Sequence, residues 1–151
     1  MITETFSHCK GEDLVQKEIL ESLLKILKET NFEVINGCTL NLRKIILSKL
    51  KTVGWSNDFN LDANSQITLT SSLNDHILCF QTGNMSRFYA DLLKMQYLYI
   101  NGKSKVAIYI IPSKTASKIM GSNIANFDRL TFELNLFKDI ISIPTLVIGI
   151  K

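Results

Sequence analysis

No stretch of the 151-residue sequence reaches the ~18 consecutive apolar residues that a membrane-spanning helix requires. Met1 to Cys9 carries polar residues and Glu4 where a secretory signal needs a positive start and an apolar run. Cysteine is scarce: Cys9, Cys38 and Cys79 are odd in number and unrelated in spacing, neither a disulfide framework nor a zinc set. The expectation is three reduced thiols in a cytoplasmic protein with no membrane partner. A strong charge excess is also missing, the net value being +3. That balance permits a phosphate-rich partner without requiring one. Gly83 and Gly121 stand alone, so no glycine-rich phosphate cradle is present. Repeats and low-complexity tracts are absent as well. What remains, 46% hydrophobic and 21% charged residues, is the composition of an ordinary globular chain. Its length fits a single domain, 1–151, with one continuous core.

Along the chain, Gly11 to Thr30 reads as a helix, with Leu14, Ile19, Leu20, Leu23, Leu24 and Leu27 at three- and four-residue spacing. Asn36-Gly37 marks a turn, and Leu40 to Val53 repeats the helical pattern up to a stop at Gly54. The period then changes. Gln66 to Thr70 alternates, Ser71 to Asp75 is a turn cluster, and His76 to Gln81 is a short apolar run, which together predict a hairpin. Ser86 to Ile100 is helical again. Val106 to Ile111 is apolar throughout and ends at Pro112, as a strand buried on both faces does. Short helices at 113–120 and 126–138 and a last apolar strand at 143–150 complete the order α-α-β-β-α-β-α-α-β. This implies an α/β class with a mixed sheet flanked by helices.

The run Leu78-Cys79-Phe80-Gln81-Thr82-Gly83-Asn84, continuing as Met85-Ser86-Arg87-Phe88-Tyr89-Ala90-Asp91-Leu92, resembles the core of BglII/BamHI-type restriction endonucleases. The resemblance extends to Ser7-His8-Cys9-Lys10-Gly11-Glu12 and to Leu50-Lys51-Thr52-Val53-Gly54-Trp55. It also takes in Lys105-Val106-Ala107-Ile108-Tyr109-Ile110-Ile111-Pro112 and the closing Pro144-Thr145-Leu146-Val147-Ile148-Gly149-Ile150. It implies a restriction-endonuclease-like fold of the PD-(D/E)xK nuclease superfamily, commonly a homodimer that clasps duplex DNA. Such enzymes hydrolyse phosphodiesters with Mg²⁺ held by an Asp on one hairpin strand and a Glu on the next, and a Lys, Glu or Gln two residues later completes the site. Mg²⁺ demands this arrangement because it takes hard oxygen ligands in octahedral geometry and then acidifies bound water and offsets charge on phosphate.

Carried over position by position, Gln81 is compatible with the third site residue and is its remnant. Cys79 stands where the Glu is expected, and a neutral thiol is a poor Mg²⁺ ligand. The Asp is expected about nine residues earlier, a spacing set by hairpin geometry, which falls on Thr70. Both metal-binding carboxylates are therefore missing, and the resemblance implies a degenerate site without metal. Two acids offer a rescue: Asp75, if the hairpin register shifts, and Glu12, which matches a family position on the first helix. Each also has a plain reading, as a turn residue and as a first-turn helix acid. His8 and His76 lack an i,i+4 partner and read as satisfied surface or edge histidines. Tyr89, Tyr97 and Tyr99 offer base stacking or ordinary packing.

Arg43, Lys44, Lys49, Arg87 and Lys94 are the candidate DNA contacts, since the family borders its DNA cleft with such positions. They also suit a plain solvated helix surface. Three functions follow. The first is a nuclease-like protein that has lost Mg²⁺-dependent cleavage and binds DNA or a protein partner. The second is an active Mg²⁺-dependent endonuclease whose site has migrated to Glu12, Asp75 and Gln81. The third is a pure interaction subunit or partner of a nuclease, using exposed apolar residues of the 86–100 helix, where Leu93, Met95, Tyr97 and Tyr99 cannot all face one core.

Overall fold

A computed structural model describes all 151 residues. Five strands form one sheet in the order β1-β7-β6-β5-β4: β1 (Ile2–His8), β4 (Ser71–Leu73), β5 (His76–Phe80), β6 (Val106–Pro112) and β7 (Thr145–Ile150). β5, β6 and β7 run parallel, and each outer strand pairs antiparallel to its neighbour. β2 (Phe59–Asn60) and β3 (Thr68–Leu69) make a separate two-stranded ribbon. The helices are α1 (Gly11–Leu14), α2 (Lys17–Glu29), α3 (Thr39–Thr52), α4 (Arg87–Ile100), α5 (Lys114–Met120) and α6 (Phe127–Leu136).

All seven residues of β6 are buried, as a central strand covered on both faces requires. Alternate side chains serve two cores. Leu78, Phe80, Ile108 and Ile110 meet α2, α3 and α5 on one face. Ile77, Cys79, Ala107, Tyr109 and Ile111 meet α4 and α6 on the other. The short helices begin where Ser and Asn offer caps: Ser113 Oγ accepts from the Ala116 N–H and Asn126 Oδ1 from the Arg129 N–H.

Three expectations about elements need correction. The stretch 1–9 is a strand, with Ile2, Glu4 and Phe6 half-buried and Thr3, Thr5 and Ser7 exposed. Its polar alternate residues face solvent on a sheet edge, which hides the strand from a hydrophobicity reading. The first helix is broken after Leu14, because the backbone turns extended at Val15 and Gln16. There the Gln16 N–H donates to His76 Nε2 at 3.1 Å instead of continuing the helix. Finally, the hairpin forms, but Ser71–Leu73 is its first strand and Asn74-Asp75 its two-residue turn. Asn74 takes the positive φ that such turns require. The 66–70 segment pairs instead with β2.

Candidate nuclease-type site

A cleft of about 500 Å³ opens where β5 ends. The amino end of α3 contributes Thr39, Leu40 and Arg43, and the first turns of α4 contribute Arg87, Ala90, Asp91 and Lys94. Thr70, Phe80, Gln81, Thr82 and Gly83 form its floor. The β4–β5 register pairs Ser71 with Leu78, so one step further along sets Thr70 beside Cys79. The two positions at which the nuclease resemblance expects carboxylates are thus adjacent.

Neither is free to act as a metal ligand. The Thr70 hydroxyl accepts from Arg43 Nη2 at 3.4 Å and from the Phe80 N–H at 3.4 Å. The other Arg43 terminal nitrogen, Nη1, donates to the Phe80 carbonyl. Cys79 is buried between the sheet and α4, and its burial, reinforced by the Asp91 charge, pushes the thiol well above its ordinary range. It stays neutral. Gln81 bridges two elements: its Oε1 accepts from the Gly83 N–H at 2.9 Å and its Nε2 donates to Asp91 Oδ2 at 2.7 Å. A Cβ on Gly83 would stand 3.0 Å from Gln81 Oε1 and 3.3 Å from Arg87 Nη1, so the glycine makes room for both.

Asp91 is a cleft residue that sequence reasoning left unassigned. It accepts from Gln81 and from the Tyr109 hydroxyl, 2.9 Å away, and its other oxygen lies 3.5 Å from Lys94 Nζ. Burial, then the nearby Asp91 charge, holds Tyr109 in its neutral form, as a donor. The spacing Arg87, Asp91, Lys94 puts all three on one helical face, which was the available signal. The exposed Asp58 also lines the cleft and was not singled out.

The acids of the migrated-site reading do not converge on Gln81. Asp75 precedes β5 and Gln81 follows it, a separation of roughly 20 Å at ~3.3 Å per residue. Asp75 binds Lys105 Nζ and faces His76 Nδ1, both at 2.9 Å. Glu12 is exposed on α1, which packs by Gly11 against Thr145 at the amino end of β7; its N–H donates to Ser7 Oγ. Nowhere do three His, Cys, Asp or Glu side chains gather in a metal-binding group. At the Thr70, Cys79 and Gln81 positions stand a hydroxyl, a neutral thiol and an engaged amide, with a guanidinium on the hydroxyl. That donor set does not fit Mg²⁺, which takes anionic oxygens.

Of the basic candidates, Arg43, Arg87 and Lys94 line the cleft. Lys44 is exposed outside it, and Lys49 donates to Thr30 Oγ1 at 2.9 Å beyond it. Tyr89, Tyr97 and Tyr99 do not line it either: Tyr89 and Tyr97 are exposed, and Tyr99 packs against the second core. The histidines are buried rather than on the surface: His8 Nε2 lies 2.6 Å from the Ile141 carbonyl, and His76 Nε2 accepts from the Gln16 N–H while its Nδ1 faces Asp75 without forming a hydrogen bond. Cys9 is exposed, Cys38 and Cys79 are buried, and none is in a disulfide. No helix is long and apolar enough to cross a membrane.

A five-stranded mixed sheet with helices on both faces and a cleft at a hairpin strand's end defines the restriction-endonuclease-like class. Two solved structures share it at low sequence identity. The crystal structure of restriction endonuclease BglII complexed with a DNA 16-mer superposes with a TM-score of 0.88 at 10% identity, over 98% of this chain and 77% of that one. Free BglII gives 0.75 at 12% identity, over 98% and 78%. The family model for restriction endonuclease BglII/BglIII matches residues 3–150, and the chain belongs to that family. No curated protein sequence matches.

Proposed function

We propose that this protein is a nuclease-fold DNA-binding protein in which Mg²⁺-dependent phosphodiester cleavage has been lost. The observation that carries the reading is the Arg43–Thr70 contact beside the buried, neutral Cys79. A guanidinium and two uncharged groups occupy the positions that need two carboxylates around a divalent ion. DNA is the partner favoured by the family and by the cleft, where Arg43 and Arg87 pair with no carboxylate. Such unpaired cations are the means by which proteins hold phosphates.

The test incubates the pure protein with labelled duplex DNA. It shifts the duplex at low salt, where phosphate-driven binding is strongest, and leaves it uncut in Mg²⁺ or Mn²⁺. Robust metal-dependent cleavage overturns the loss of catalysis, and no shift even at the lowest salt overturns DNA binding.

A protein partner has a separate support. Tyr89, Leu93, Tyr97 and Ile100 form an exposed apolar stripe on α4, and Tyr89 and Leu93 share an apolar groove with Phe137, Ile140 and Ile141 after α6. Met95 and Tyr99, which the sequence reading included, turn into the second core instead. The stripe adjoins the cleft through consecutive Leu93 and Lys94, so a second copy seated on it would lie beside the cleft.

A further inference from the structure

Divalent-metal nuclease sites bind phosphate through the ion, because bare carboxylates repel a phosphodiester. This cleft sets three cations, Arg43, Arg87 and Lys94, against two carboxylates, the exposed Asp58 and Asp91, the latter already engaged by Gln81, Tyr109 and Lys94. Thr70 and Cys79 bring no negative charge, and Arg43 brings a permanent positive one. The guanidinium is anchored at both terminal nitrogens, Nη1 on the Phe80 carbonyl and Nη2 on the Thr70 hydroxyl. Two of its five N–H donors are engaged in this way, and the rest have no carboxylate to satisfy them. The anchor comes from the strand end and the guanidinium from α3, so the cation is held on rigid elements over the cleft floor. Arg87 lies against the Gly83 turn beside Gln81, and Lys94 pairs with Asp91.

We propose that the Arg43 guanidinium takes the place of the divalent ion, as a fixed cation that binds a phosphodiester oxygen of duplex DNA without metal. Arg87 holds the neighbouring phosphate along the same strand. The proposal rests on the DNA-binding reading above and adds to it a specific site and metal independence. Bidentate donation suits a guanidinium to phosphate oxygens, and each phosphate neutralised contributes about 0.9 to the slope of log affinity against log salt.

The experiment measures anisotropy of labelled duplex DNA with the full chain, over a salt series, in EDTA and in millimolar MgCl₂. Wild-type affinity in EDTA equals or exceeds that in MgCl₂, since Mg²⁺ there only competes for phosphate. Arg43→Gln weakens binding about tenfold, as loss of a charge-assisted hydrogen bond does, and lowers the salt slope by about 0.9. Arg43→Lys keeps the slope, which separates charge from a general loss of structure. Lys17→Gln, removing an exposed cation that pairs with Glu21 on α2 outside the cleft, leaves affinity within about twofold. Stimulation of wild-type binding by Mg²⁺, or an unchanged slope in Arg43→Gln, overturns the metal-substituting site while DNA binding itself stands. Absence of wild-type binding in both buffers overturns the underlying reading instead.

Discussion

At the scale of single residues, two buried groups show how one contact sets a charge state. Cys79 is a thiol where the nuclease resemblance expects an acid, and burial keeps it neutral. His76 is the opposite case, a base kept neutral. Its Nε2 accepts from the Gln16 N–H, which leaves the ring proton on Nδ1, facing Asp75. Burial lowers its pKa below the usual 6.5, against a weaker upward pull from Asp75. Protonation would also break the Gln16 bond, because a charged ring has no acceptor nitrogen. The unfolded chain therefore binds this proton at a higher pH than the folded one. Stability is complete above the unfolded value and falls as pH drops below it. Urea denaturation should show stability declining as the pH falls through and below the ordinary histidine value of about 6.5, by at most ~1.4 kcal/mol per pH unit from this group. His76→Gln, whose amide oxygen can still accept, should be less pH-sensitive over the same range; an identical slope in both proteins would remove His76 as the cause.

At the scale of elements, the α1–α2 junction depends on a close approach. A Cβ on Gly11 would lie 2.2 Å from the Thr145 carbonyl carbon and 2.4 Å from its nitrogen, both backbone atoms that cannot rotate away. Gly11→Ala must push α1 off the start of β7, and it should cost about 3 kcal/mol, the upper end of ordinary substitutions. Chemical denaturation checks it; a loss under ~1 kcal/mol would mean that α1 is not held there. The long helical periodicity from Gly11 to Thr30 was legible, since Ile19, Leu23 and Leu27 do line the core. The break was not, because its cause is a hydrogen bond to His76, sixty positions away. The same holds for β1: its pairing with β7 joins opposite ends of the chain, and alternation with polar residues left only a weak local signal. The hairpin's existence was legible, but its register was not. Asn74 supplied the positive-φ turn, while Ser71–Leu73 was masked by the turn-like character of serine.

For the whole molecule, the question is what covers the α4–α6 face. Leu93 is 65% exposed and Ile100 72%, and with Tyr89 and Tyr97 they continue along one helix. Leu93→Glu places a charge in this apolar stripe. Light scattering coupled to gel filtration should find the wild type dimeric and Leu93→Glu monomeric, with unchanged circular dichroism; a monomeric wild type would show that this face is not a stable self-interface. Since the stripe borders the cleft, loss of the dimer should also weaken DNA binding without altering which residues line each cleft.

The local pattern of this sequence carried its class: helical and strand periods, a β6 apolar at every position, and the order of pieces matched to the nuclease family. It also carried the identity of Thr70 and Cys79 at the two positions where the nuclease resemblance expects an acid, since a residue's identity can be read without coordinates. Only the tertiary structure decided what stands in its place. Arg43 lies on α3, 27 positions before Thr70 and 37 before Phe80, and only folding brings its guanidinium to both. Asp91 and Gln81, ten positions apart, likewise meet only because α4 folds back beside the end of β5. Periodicity records which face a residue takes, whereas a hydrogen bond between distant segments is set by how the elements pack.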